Sequence, residues 1–227
     1  MKNVCIIPAR GGSKRIPHKN IKPFMGKPII AYSIENAKAT GLFDDIMVST
    51  DDPEIVEIAK QYGATVPFLR SEKTANDYAT LADVLQEVLD CYSERGMRFD
   101  NMCCILATCP LLKSESISDA YNMLIQSDFT TICPMVAYSY PILRSFSIDE
   151  NGEMTMNWPE YAKTRSQDLK PAYHDSGTFY WHKIEPWLKG NRRRGGIVIS
   201  EELVQDIDTE QDWKIAEMKY HIINNSL

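Results

Sequence analysis

The chain has 227 residues, 44% of them hydrophobic, enough to bury the core of one large α/β domain. Its 25 Lys and Arg against 31 Asp and Glu give a net charge of −6, which argues against a dedicated nucleic-acid binder with a broad basic face. No stretch approaches the roughly 18 apolar residues of a membrane span, and no charged, apolar leader precedes Val4, so a cytoplasmic protein is expected.

The first element is an apolar strand, Val4-Cys5-Ile6-Ile7, that ends at Pro8 and feeds Ala9-Arg10-Gly11-Gly12-Ser13-Lys14-Arg15. Six Lys and Arg and no acid lie between Arg10 and Lys27, whereas the rest of the chain is acidic. A buried strand running into a small-residue loop brings backbone N–H groups and long cations to one spot, as polyphosphate binding requires. Neither a Walker A sequence nor Gly-x-Gly-x-x-Gly is present; Gly26-Lys27 is followed by Pro28. What favours a ligand loop over a solvated basic turn is its position, since open α/β sheets bind ligands at strand carboxyl ends.

Pro28 suits a first helical turn, and Ile30, Ile34 and Ala37 share a face before Gly41. A strand is predicted over 46–50, then a helix capped by Asp52-Pro53 with Ile55, Ile58, Ala59 and Tyr62 inward, then a short strand over 65–69. Leu81, Val84, Leu85, Val88, Leu89 and Tyr92 mark the clearest helix, with a strand over 102–107 and a helix over 114–126 following. This alternation predicts an α/β fold with a mostly parallel sheet and helices on both faces. The pattern then changes to extended segments near 137–160, with Asn151-Gly152 favouring a hairpin turn. Strands over 173–181 and 197–200 and a helix over 209–223 close the chain. Repeats and linkers are absent, so one domain is expected, with an excursion within about 137–170 suited to dimer contacts. The six cysteines form no Cys-x-x-Cys pair, and several lie in apolar runs and read as buried thiols.

Several short motifs, in this order and spacing, resemble the nonulosonate, or sialic-acid-type, cytidylyltransferases over nearly the whole chain. They are Ile6-Ile7-Pro8-Ala9-Arg10-Gly11-Gly12-Ser13-Lys14, Lys19-Asn20-Ile21-Lys22, Gly26-Lys27-Pro28, Val48-Ser49-Thr50-Asp51, Pro67-Phe68-Leu69-Arg70, Arg165-Ser166-Gln167-Asp168-Leu169 and Gln205-Asp206-Ile207-Asp208-Thr209. The related Kdo enzymes share the spacing of Ser13, Arg15, Pro17 and Lys19, while Asn20 favours the sialic-type branch. The resemblance implies a Rossmann-like nucleotidyltransferase fold, a Mg2+-dependent transfer of CMP from CTP to a sugar hydroxyl, and a homodimer. It places CTP at Ala9, Arg10, Lys14, Arg15, Lys19, Asn20, Arg70 and Thr80, with Arg10, Lys19 and Asp208 as catalytic residues. Thr80 equally suits the start of the Leu81 helix.

By the same resemblance Arg165 and Gln167 meet the sugar, Arg165 because its planar fork suits a C1 carboxylate. Tyr173-His174-Asp175-Ser176-Gly177 stands where sialic acid enzymes show Asn-Gly-Ala, which looks like the pseudaminic acid subgroup, and Leu106 replaces a ligand-contacting glutamine. His174, Asp175, Phe179 and Tyr180 are therefore candidate sugar contacts, although alternating aromatics in a strand also suit plain core. Arg192, Arg193 and Arg194 read as an exposed loop. Asp206 and Asp208 match a metal pair: in an extended segment both carboxylates face one way while Ile207 packs inward, and Mg2+ favours such oxygen ligands. Asp208-Thr209-Glu210-Gln211 also suits a capped helix start. The alternatives are an N-acetylneuraminate or legionaminate enzyme, or a non-catalytic nucleotide-binding regulator. The subgroup's usual setting is the decoration of bacterial flagellin or surface polysaccharide.

Overall fold

The apolar run at the N-terminus becomes a strand flanked on both sides in a seven-stranded sheet, with helices covering both of its faces. The computed structural model describes residues 1–225. Strand β1 (Asn3–Pro8) is followed by two-residue strands β2 (Pro23–Phe24) and β3 (Lys27–Pro28), which pair with each other, and by helix α1 (Ile29–Thr40). Gly41 ends α1 in the left-handed region at φ 64°, where its lack of a Cβ is needed. Next come β4 (Asp45–Ser49), α2 (Pro53–Gln61), the short α3 (Glu72–Ala75), α4 (Leu81–Glu94), β5 (Asn101–Ile105), α5 (Ser114–Gln126) and β6 (Thr131–Ala137). As predicted, Asp52 caps α2, its carboxylate accepting from the N–H groups of Glu54 and Ile55.

Strand β1 lies parallel between β4 and β5, with Cys5 opposite Ile46 and Cys103. Its side chains alternate between two cores. Cys5 and Ile7 join Ile30, Ile34, Val48, Ile55, Ile117 and Trp181 on one face. Val4 and Ile6 join Met47, Leu85, Val88, Tyr92 and Trp187 on the other. A strand buried on both faces reads as a continuous apolar run, and each fully buried Ile contributes about 1.5–3 kcal/mol. The cysteines are all free; Cys5, Cys103, Cys104 and Cys109 are buried, and burial pushes the Cys104 thiol up to about 12.

The later chain departs from expectation in four places. The strand predicted over 65–69 shrinks to one bridge between Thr65 and Met47, because Pro67 has no N–H to extend the ladder. The strand over 173–181 divides at Gly177 (φ 63°) into β9 (Tyr173–Asp175) and β10 (Phe179–Lys183). Strand β9 pairs with β6, whereas β10 inserts antiparallel between β5 and β6, so the mostly parallel sheet carries an antiparallel strand at its centre. After α6 (Ile184–Leu188), strand β11 (Arg194–Val198) begins three residues early and runs parallel to β6, which takes Arg194 out of the loop. Gly195 permits this close approach, since a Cβ there would lie 2.5 Å from the Phe129 ring. The closing helix α7 (Glu210–Asn225) starts one residue late.

Between β6 and β9 the chain leaves the sheet as the predicted excursion. Its hairpin pairs β7 (Phe146–Ile148) with β8 (Met154–Met156) across a turn in which Asp149 accepts from the N–H groups of Asn151 and Glu153. Phe146, Ile148 and Met154 are exposed there. Among the described residues, no helix is long and apolar enough to cross a membrane.

Candidate active site

The basic loop leaves β1 at the sheet's carboxyl edge and is tied there by backbone geometry. Ala9 N–H donates to Ser49 O at 2.9 Å, which extends the pairing of β1 with β4 by one residue. Gly11 N–H donates to Asp51 at 3.0 Å, and a Cβ on Gly11 would lie 2.5 Å from an Asp52 oxygen. Across the loop, the Asn20 amide donates to Arg10 O at 2.9 Å and closes it into a rim. Beneath the rim lies a cavity of about 540 Å³ bordered by Arg10, Lys14, Arg15, Lys19, Asn20, Arg70, Thr80 and Asp208. Leu106, Ala107 and Thr108, just past β5, complete the wall. Ala9 is not in that lining; its side chain is 1% exposed and packs in the core, leaving only its backbone at the loop.

Each cation has a counterpart. Arg10 pairs with Asp77 at 2.7 Å, and Lys14 binds the other oxygen of the same carboxylate. Lys14 first, then Arg10, hold Asp77 below the usual carboxylate range. Arg15 reaches Asp208 at 2.8 Å, and Lys19 lies 3.4 Å from it while donating to Ile207 O at 2.6 Å. Arg70 is 8% exposed and donates to Ser49 O at 2.9 Å and Ser49 Oγ at 3.1 Å, so it is a fixed wall rather than a mobile arm. Burial lowers its pKa, and Asp51 and Glu87 oppose that shift.

Thr80 is the helix cap and also borders the cavity. It caps α4 reciprocally with Asp83, accepting from Asp83 N–H at 3.2 Å and donating its hydroxyl to the Asp83 carboxylate at 2.7 Å, and it also lines the cavity. The cap of α7, by contrast, belongs to Thr209 and Asp212, which accept from each other's N–H at 3.2 and 2.8 Å. Asp208 gives only its backbone N–H to that cap, so its carboxylate remains on the cavity side with Arg15 and Lys19.

A family model described as Cytidylyltransferase matches residues 4–197. The chain belongs to the cytidylyltransferase family. It is 43% identical to the pseudaminic acid cytidylyltransferase of Campylobacter jejuni, across 100% of this chain and 99% of that protein. It is 31% identical to the CMP-N,N'-diacetyllegionaminic acid synthase of Legionella pneumophila, across 96% of this chain and 95% of that one. Among solved structures, a CMP:2-keto-3-deoxy-manno-octonic acid synthetase complexed with CTP matches over 100% of both chains, with a TM-score of 0.72 at 16% identity. That likeness is one of fold: the mostly parallel α/β architecture expected from the sequence is that of a nucleotidyltransferase.

The candidate sugar contacts are not gathered at the cation-lined cavity. His174, Asp175 and Asp206 line a second cavity of about 320 Å³, whereas Asp208 borders the first. Tyr180 OH donates to Asp175 at 3.0 Å, and burial, with the Asp175 charge, pushes the phenol up. Phe179 is fully buried among Ile105, Ile132 and Trp181, which corrects it from sugar contact to core residue. Arg165 and Gln167 sit together on a turn of the excursion, outside the lining of either cavity. Ile207 packs inward as expected, 1% exposed, but the carboxylates on either side of it border different cavities. No group of three metal-ligating side chains occurs among the described residues. The sequence reading missed Asp77 and named Asp51 only within a motif; their contacts with the loop span 40 to 67 positions of chain.

Proposed function

We propose that this cytidylyltransferase transfers CMP from CTP to the anomeric hydroxyl of pseudaminic acid, forming the CMP-sugar and releasing pyrophosphate. The full-length 43% identity to the Campylobacter jejuni enzyme carries the sugar assignment. The cation-lined cavity at the end of β1 supports the CTP end.

In this reading Arg10, Lys14, Arg15 and Lys19 replace their carboxylate partners with phosphate oxygens and balance the charge that grows on the leaving pyrophosphate. Charge stabilisation and positioning supply most of the catalysis in phosphoryl transfer. Arg70 and the Ala9 backbone, both fixed at the β1–β4 edge, form the base pocket. Asp206 and Asp208 would hold Mg2+, which supplies further charge neutralisation at the phosphates when bound. Asp208 takes the sugar hydroxyl's proton as the oxygen–phosphorus bond forms and the bond to pyrophosphate breaks. Leu106 gives the wall an apolar surface where an amide would favour a hydroxyl-rich sugar.

The exposed Phe146, Ile148 and Met154, with Arg165 and Gln167 outside the cavity lining, suit a homodimer joined through the excursion. The experiment is incubation of the protein with CTP, Mg2+ and pseudaminic acid, with product mass read by mass spectrometry. A CMP-pseudaminate peak with equimolar pyrophosphate is expected; CTP binding without any product would leave a nucleotide-binding regulator instead.

A further inference from the structure

The cavity already contains an anion of its own. Asp77 sits on the link between α3 and α4, and its two oxygens bind Arg10 and Lys14, the two cations placed nearest the start of the phosphate loop. Each N–H that Asp77 holds is withheld from a phosphate, and the carboxylate's charge beside both cations repels one. The link is built to present this carboxylate: Asn76 Oδ1 accepts from the N–H groups of Tyr78 and Ala79 at 2.8 and 3.0 Å, and Thr80 anchors the far end as the α4 cap. None of those contacts uses the Asp77 side chain, which is 40% exposed, so the turn persists when Asp77 lets go. Tyr78 at its tip is 94% exposed and packs against little that would resist a shift.

We infer that Asp77 is an internal competitor for the phosphate subsite at Arg10 and Lys14, displaced when CTP binds and returning as pyrophosphate leaves. The inference rests on the reading of that subsite given above. A triphosphate carries several charges against one, so CTP wins the cations. Pyrophosphate keeps its charge but loses its tether to the bound nucleotide, whereas the chain-tethered carboxylate goes on competing at high effective concentration. Asp77 acts through the two cations and is a positioning residue, not a catalytic one.

The test is calorimetric titration of pyrophosphate, without added metal, into the wild-type protein, Asp77→Asn and Asp77→Ser, with cytidine titrated in parallel. Cytidine has no phosphate and reports only whether the base pocket is intact. Both variants should bind pyrophosphate roughly 3- to 10-fold more tightly, the range expected on removing a competitor held by two partly exposed ion pairs. Cytidine affinity should stay unchanged. Unchanged or weaker pyrophosphate binding in both variants would overturn the inference, and so would loss of cytidine binding, which would make Asp77 a structural brace. A wild-type protein that binds neither pyrophosphate nor CTP would overturn the subsite reading beneath it.

Discussion

The proposed nucleotide end and the proposed sugar end of this molecule are built differently. At the nucleotide end, seven of the eight proposed CTP residues border one cavity, five of them on the loop after β1, with most polar groups already paired inside the chain. At the sugar end, the candidates are spread over the excursion, β9 and the approach to α7, and they line different cavities or none. A triphosphate is the same in every member of such a family and can be met by a rigid, preformed cradle. A variable sugar is met by separate segments that change independently, which is where loops tolerate variation.

Substitutions can break this contrast at either end. The largest effect is expected at Arg10. Arg10→Ala should reduce turnover by about 100- to 1000-fold, as loss of a transition-state charge contact does, with circular dichroism unchanged. Near-wild-type turnover would remove Arg10 from the chemistry. A paired experiment separates metal and cap at the start of α7. Asp208→Asn should lower Mg2+-supported turnover on the order of 100-fold and leave melting unchanged. Thr209→Ala should do the reverse, costing about 1 kcal/mol of stability with the rate retained, because Thr209 and not Asp208 accepts the cap hydrogen bond.

These two neighbours show what the sequence can reveal. Asp208-Thr209-Glu210-Gln211 suits a helix start as well as a metal ligand, and the direction of each side chain shows which residue is the cap. Where a signal was local, it was legible: the Asp52 cap, the Leu81 helix face and the Asn151-Gly152 turn all follow from spacing and backbone preference. The insertion of β10 between β5 and β6 was not, because strand order is a tertiary choice made after the Gly177 break. Phe179 shows the same limit. Its neighbour Tyr180 points to Asp175 while Phe179 faces the opposite core, and the sequence alone does not say which face is which. Asp77 was silent for a further reason: an exposed acid between two helices has no local signature until the loop from β1 reaches it.

At the sugar end the expected effects are smaller. Arg165→Ala should raise KM for the sugar by about tenfold, the loss of a bidentate carboxylate contact, and leave KM for CTP alone. A parallel rise in both would place Arg165 in folding or assembly. The smallest effect is on stability and lies away from both ends. His182 is buried beside Thr131, and burial first, then Arg192 and Arg194, push it down to about 4 from 6.5. The unfolded chain therefore binds the extra proton more readily, so stability is complete above about pH 6.5 and falls as pH drops from there toward 4. Denaturant midpoints measured between pH 7 and 4 should show that slope, and His182→Gln should flatten it.

The most direct measurement compares specificity constants for pseudaminic acid and N-acetylneuraminic acid with CTP and Mg2+, followed by pyrophosphate release. The account predicts kcat/KM at least about tenfold higher for pseudaminic acid, a difference of about 1.4 kcal/mol in transition-state binding. Equal constants, or a preference for N-acetylneuraminic acid, would contradict it and leave the nucleotide end without its proposed sugar.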